Sequence, residues 1–104
     1  MPNPQRGEVW LVDLGLAAKV RPCLVLSVPT INDERVLVTL VAHTTSSRKT
    51  RFEVDVSSKF LRSGVFDAQN IITVPAVTLI RKLGNLNPSQ ISSVENAVRL
   101  WLGL

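Results

Sequence analysis

Apolar residues along this chain follow two rhythms, and the change from one to the other falls at Asn87. Before that point runs of strand character dominate. Gly7–Leu14 (GEVWLVDL) alternates imperfectly between apolar and polar, with Val and Trp suited to a pleated surface. Cys23–Val28 is apolar almost throughout and bounded by Pro22 and Pro29, the pattern of a strand buried on both faces. Proline lacks an amide hydrogen, so Pro22 is expected at that strand's start or at an edge. Pro29–Glu34 (PTINDE) has turn chemistry, and Arg35–Ala42 (RVLVTLVA) is the strongest strand signal in the chain. In Arg51–Val56, Phe52 and Val54 share one face while Glu53 and Asp55 take the other, which reads as a solvated face. Ser57–Ser63 reads as a loop anchored by Phe60 and Leu61. Gly64–Val74 reads as a strand interrupted by Asp67 and the pair Gln69–Asn70, Ala76–Leu79 as one helical turn, and Ile80–Leu86 as a last short strand.

From Asn87 onward the period becomes helical. Asn87 is a capping side chain, Pro88 fits the first helical position, and Gln90 is placed to reach back toward the cap. Ile91, Val94, Ala97, Val98, Trp101 and Leu102 recur at helical spacing, which puts Trp101 on the core stripe. Glu95 and Arg99 are expected to pair at the surface, and Gly103 to stop the helix. No repeat, linker or low-complexity tract interrupts this plan, so residues 1–104 read as a single domain. The expectation is an α+β, mainly β fold: about six short strands in a closed or half-closed barrel, one face covered by an amphipathic C-terminal helix.

Composition narrows the class. With 45% hydrophobic and 19% charged residues the chain is globular, and at 5% aromatics without tyrosine its core must come from Val, Leu and Ile. A lone cysteine, Cys23, excludes an intramolecular disulfide. Apolar runs fall short of the roughly 20 residues of a membrane helix, and Met1–Gly7 is polar and unlike a signal peptide, so the cytoplasm is the expected location and no membrane partner is expected. A net charge of +4, from 12 Lys and Arg against 8 Asp and Glu, favours a polyanionic partner only weakly. Its distribution says more: Arg48, Lys49 and Arg51 follow directly on His43-Thr44-Thr45-Ser46-Ser47.

Most familiar chemistries find no footing. One His and one Cys at unrelated places make no metal cluster, so no metal or other cofactor is expected, and neither a phosphate-cradling glycine loop nor a nucleophile elbow is present. Two features remain. Arg21 stands directly before Pro22 at the mouth of an apolar strand, where a guanidinium offers a planar, charged fork for a phosphate; alone, it reads more readily as an arginine bonding a nearby carbonyl. His43-Thr44-Thr45-Ser46 ends the strongest strand, where side chains are held rigidly beside a loop; alone, it reads as ordinary hydroxyl-rich loop chemistry. Together they bring a cation and a hydroxyl beside a basic loop, able to hold a phosphodiester and stabilise charge developing on it.

The order of these blocks resembles a known family. RGEVWLVDL, the RP-C-L-V-L-S block, the strand ending in HTTS with basic residues after it, GVFDAQNI and a closing helix ending in LGL follow one another as in the MazF/PemK (Kid)-type toxins of type II toxin–antitoxin systems, from about Arg6 to Leu104. The resemblance implies a small SH3-like, CcdB-like barrel, a homodimer, and cleavage of single-stranded RNA without a metal, leaving a 2′,3′-cyclic phosphate and a 5′-hydroxyl. It implies catalytic roles for Arg21, stabilising charge at phosphorus or acting as general acid, and for Thr44, bonding the phosphate or positioning the attacking 2′-hydroxyl. RNA contacts follow for Thr45, Gln69 and the basic Arg48, Lys49 and Arg51, and a lesser one for His43; Trp10 or Trp101 could stack bases. A partner antitoxin with an acidic C-terminal tail is also implied. One departure stands out: Asp13–Val20 is compact where many family members carry a longer loop that covers substrate and receives the antitoxin, so neither the cleavage sequence nor the inhibitor fit carries over. The alternative reading is a related CcdB-like toxin or non-catalytic module that binds DNA gyrase or nucleic acid; such proteins have no need of the Arg–Thr pair.

Overall fold

The structure, a computed structural model, describes residues 2–15 and 19–104. Six strands, β1 (Glu8–Asp13), β2 (Val20–Val25), β3 (Leu37–Thr44), β4 (Glu53–Asp55), β5 (Val65–Pro75) and β6 (Leu79–Asn85), form one antiparallel sheet in the order β4-β5-β3-β2-β1-β6. A short 3₁₀ turn, Ala76–Thr78, joins β5 to β6, and the helix α1 (Pro88–Leu102) closes the described chain. The expected α+β, mainly β plan with one C-terminal helix is therefore the fold observed.

The sheet has a core on each side. On one, Val12, Cys23, Val25, Val38, Leu40 and Ala42 are buried together with Ala76 and Leu79. On the other, Val9, Leu24, Val41 and Phe66 pack with Val94, and Ile91 and Val98 of the helix close over them. Adjacent residues of β2 and β3 thus point into different cores, which is why both strands read as unbroken apolar runs. Burying a side chain such as Leu24 or Leu40 contributes about 1.5–3 kcal/mol.

Local chemistry sets the ends of the elements. Asn87 Oδ1 accepts from the Gln90 amide at 2.8 Å while Gln90 Oε1 accepts from the Asn87 amide at 3.0 Å, so the expected reciprocal cap is present. Gly103 ends the helix in the left-handed conformation, φ 72°. Strand β2 starts at Val20 rather than Cys23. Pro22 lies opposite Leu11 of β1, yet pairing with β3 begins only at Cys23, so its missing amide hydrogen costs no bond on that side. The strand ends at Val25 because the Leu26 and Ser27 amides both turn to the Thr39 carbonyl and the Ser27 hydroxyl takes the Thr39 amide. The pairing of Glu95 with Arg99 is not what forms: Glu95 instead holds Arg6, tying the helix to the chain's start. Trp101 is not core. It stands 44% exposed where the last helical turn passes β4, its ring edge-to-face with Phe52 at 5.3 Å.

Candidate functional site

Strand β3 runs two residues further than its apolar run, and this extension builds the site. Its last residues pair with β5, His43 with Phe66 and Thr44 with Val65. On its other side the pairing with β2 ends at Cys23 and Ala42, so Arg21, two residues before Cys23, and Thr44, two residues after Ala42, lie just past that end of the β2–β3 ladder. Both then emerge on the face where Cys23 and Ala42 are buried, at the rim of that core.

The sheet is irregular at this end. Between Val41–Ile71 and His43–Phe66 the β3–β5 register changes by three residues, from a sum of 112 to one of 109, leaving Asp67–Asn70 without partners on β3. Such a bulge re-aims side chains beside a site. The Ala68 amide turns to the Phe52 carbonyl, and Asp67 Oδ1 takes the Gln69 amide at 3.0 Å.

Two hollows meet at the strand ends and share Arg21, Thr44 and Thr45. The first, of about 540 Å³, is floored by His43 and walled by Leu11, Phe60, Leu61 and Leu83; Lys19, Arg62 and Arg81 line it, and no carboxylate does. The second, of about 700 Å³, takes in the bulge residues Asp67, Gln69 and Asn70 together with Arg48, Glu53 and Trp101. Arg21 thus stands between an all-cationic hollow and one of mixed charge.

Two loops form the walls, and each is held by an identifiable contact. Glu53 organises the basic loop: its carboxylate accepts from the Ser47 hydroxyl at 2.8 Å and from the Arg48 and Thr50 amides at 3.0–3.3 Å. Those bonds, the Arg48 amide foremost, hold its carboxyl below the ordinary value of 4.5. Glu53 is therefore a clamp, not the bland solvated group its alternation suggests. The loop of residues 57–64 is seated by two glycines. A Cβ on Gly84 would fall 2.3 Å from the Phe60 ring, and one on Gly64 would fall 2.3 Å from the Thr44 carbonyl oxygen and 2.8 Å from His43. Only glycine allows backbone and ring to approach so closely.

Among the residues singled out from sequence, Arg21 and Thr44 are half-buried, and Thr45, Arg48 and Gln69 are exposed; all five line the hollows. The Thr44 hydroxyl accepts from the Ser46 amide at 3.1 Å, which turns the chain away after the strand. His43 is only 3% exposed, its ring edge-to-face with Phe66 at 5.1 Å. Burial pushes its imidazole below the ordinary 6.5, so it is neutral near pH 7. Lys49 and Arg51 are exposed but outside both hollows, with the Arg51 guanidinium 4.7 Å over the Phe52 ring. Trp10 gives its indole N–H to Glu8 at 2.9 Å and packs against the core. Sequence reasoning missed Arg62, Arg81 and Lys19, isolated cations in three separate segments, and the wall-setting Gly64, Gly84 and Glu53. The compact connection before Arg21 falls partly outside the described residues. Its described ends are held by Leu14–Lys19 and Lys19–Gly15 backbone bonds and by the Gly15 amide on Asp13. Among the described residues no cluster of three or more His, Cys, Asp or Glu is assembled that could hold a metal, and no helix is long and apolar enough to cross a membrane.

The architecture is that of a small antiparallel β protein with one C-terminal helix and a cationic, hydroxyl-bearing strand end, and solved structures narrow it. A mycobacterial endoribonuclease in complex with its cognate antitoxin superposes with a TM-score of 0.80 at 29% identity, over 100% of this chain and 97% of that one. The Mycobacterium tuberculosis toxin MazF-mt6 gives 0.80 at 27% identity, over 93% of this chain and 97% of its own. A MazE–MazF structure from Deinococcus radiodurans shares the fold, with a TM-score of 0.83 at 21% identity over 100% of this chain and 99% of that one. The family model described as PemK-like, MazF-like toxin of type II toxin–antitoxin system matches residues 5–102, and the chain belongs to that family.

Proposed function

We propose that this toxin is an endoribonuclease, a single domain over residues 1–104, that cleaves single-stranded RNA by attack of a ribose 2′-hydroxyl on the adjacent phosphorus. The observation that supports the reading is that Arg21 and Thr44 both line the two hollows where these meet. A phosphodiester seated between them puts its flanking nucleotides into the two hollows. As the 2′-oxygen bonds to phosphorus, negative charge grows on the non-bridging oxygens, and the Arg21 guanidinium opposes it in a partly desolvated place. The Thr44 hydroxyl bonds one of those oxygens and fixes the phosphate. The 2′-hydroxyl gives its proton to solvent as it attacks, the bond from phosphorus to the 5′-oxygen breaks, and the leaving oxygen takes a proton from solvent, so a 2′,3′-cyclic phosphate and a 5′-hydroxyl result with no net change in protons. DNA has no 2′-hydroxyl and is spared. His43, neutral and below the surface, takes no direct part in this step. Thr45, Arg48 and Gln69 contact the strand from the hollow walls, and Lys49 and Arg51 act on its backbone from outside them.

The family and the mycobacterial complex support an antitoxin partner; in this reading its acidic C-terminal tail covers the cationic hollow and the toxin works as a homodimer. RNA and antitoxin would then meet the protein in the cytoplasm.

Incubation of the protein with a long single-stranded RNA in EDTA, beside Arg21→Ala, tests the reading. Fragments ending in cyclic phosphate are expected from the wild type, with a loss of about 10²-fold or more in the variant. Equal cleavage by the two proteins refutes the role of Arg21, and intact RNA across several substrates refutes the activity.

A further inference from the structure

His43 is the chain's one histidine, and its seat is unusual for a group that can carry charge. It is 3% exposed, and its Nε2 is sealed off with no hydrogen-bond partner among the described residues. Phe66 of β5 packs edge-to-face on the ring at 5.1 Å, and Gly64 lies so near that a Cβ there would stand 2.8 Å from Cε1. A neutral imidazole tolerates this seat with one bond unmade. An imidazolium has two N–H donors and a charge to satisfy, and nothing at Nε2 satisfies them.

The charges around the ring oppose a proton as well. Lys19 just ahead of β2, Arg21 on β2, Arg62 on the 57–64 loop and Arg81 on β6 line the hollow beside it, while β1 and β5 present Leu11 and Phe66. Among the described residues no carboxylate lines that hollow; Glu53 and Asp67 line the other. The backbone is weak at the same place. His43–Phe66 and Thr44–Val65 are the last two pairs of the β3–β5 ladder, cut off from the pairs of Leu37–Val41 by the bulge. Short end segments of this kind open at a smaller free energy than the sheet they adjoin.

We propose that His43 is an acid-sensitive latch: unprotonated, it holds the end of β3 against β5, and on taking a proton from solvent it releases that end, carrying Thr44 out of the site. Water is what relieves the imidazolium, and the 57–64 loop must lift from the ring to admit it. Burial holds the imidazole below its ordinary 6.5 while the strand end is closed, and opening returns it to about that value. The closed form is therefore fully favoured above pH 6.5 and loses ground as the pH falls beneath it, the opened fraction rising about tenfold by pH 5.5. Loss of cleavage in acid rests on the endoribonuclease reading; the opening itself does not.

The two are measured separately on the full chain. Amide exchange followed by NMR at pH 7.5 and 5.5, corrected for intrinsic rates, reports the opening at residues 43, 44, 65 and 66 in the wild type and in His43→Leu. Protection there is expected to fall about tenfold more in the wild type than in His43→Leu, with the far-ultraviolet circular dichroism of the sheet retained. An equal fall in both proteins overturns the latch. Should His43→Leu fail to fold, the wild type decides alone, because the signals of a single histidine ring belong to no other residue. A ring still neutral below pH 6.5, whose protonation moves the Thr44 and Val65 amide signals, upholds the latch. A ring that titrates near 6.5 while those signals stay in place overturns it. Cleavage of an RNA oligonucleotide at pH 7.5 tests the other reading: intact RNA overturns the ribonuclease and leaves the exchange result standing.

Discussion

Gly64 is the residue whose replacement tests the construction of the site most directly. Its Cα sits so close to β3 that an added Cβ would lie 2.3 Å from the Thr44 carbonyl oxygen, a distance real Cβ atoms do not show. To reach even 3.0 Å, loop and strand must part by 3.0 − 2.3 = 0.7 Å. The struck atom is backbone, and Thr44 is paired with Val65 immediately beyond the glycine, so the movement passes into the β3–β5 ladder. Overpacking of this kind costs typically 1–3 kcal/mol, roughly 4–8 °C of melting temperature per kcal/mol in a domain this small. Activity should suffer more than stability. Displacing a positioning group by about 1 Å costs about 10²-fold, and Thr44 is the group displaced. Gly64→Ala is therefore expected to melt several degrees lower yet remain folded at 25 °C, while single-turnover cleavage of an RNA oligonucleotide falls about a hundredfold. Wild-type cleavage with an unchanged melting point would refute the close approach and the argument that Thr44's place depends on it.

Other perturbations address other parts of the structure. Burial pushes the Cys23 thiol up to about 12, so the native protein should resist iodoacetamide at pH 8 and react only as it unfolds; rapid labelling of folded protein would contradict the burial. Glu53 has its carboxyl held below 4.5, so its hold on the basic loop should be complete at neutral pH and weaken as the pH falls below that value. Glu53→Gln should raise amide exchange at Arg48 and Thr50 at pH 7, and unaltered protection would dismiss the clamp. Neutralising Arg48, Lys49 and Arg51 together should lower the log–log salt slope for an uncleavable RNA by roughly 2, as three single-strand phosphate contacts would; an unchanged slope would place the backbone path elsewhere.

Several parts of this outcome are legible in the chain because they depend on local chemistry. The capped helix is fixed by Asn87, Pro88, Gln90 and Gly103 within a few residues of one another, and β3 by an unbroken β-branched run. Arg21 and Thr44 stand out as chemistry at strand ends. What stays hidden depends on tertiary partners. Trp101 has the spacing of a core residue, but the last turn of its helix passes β4, and only the fold reveals that. Glu53 alternates like a surface residue until the loop before it folds back on its carboxylate. Arg62 and Arg81 lie in different segments, and nothing in their local sequence says that they line the same hollow. Gly64 looks like an ordinary loop glycine; its importance lies in a strand some twenty residues away.

The proposed reacting pair stands on two neighbouring interior strands, β2 and β3, whereas the surfaces proposed to meet the rest of the RNA belong largely to the 45–52 and 57–64 loops, each pinned by its own contact. Reaction and reading are thereby separable. Remodelling one loop around its pin would alter which messages are cut while the bond-breaking step stays the same. A lineage carrying several copies of such a gene could aim each at a different set of transcripts, with no copy having to reinvent the chemistry.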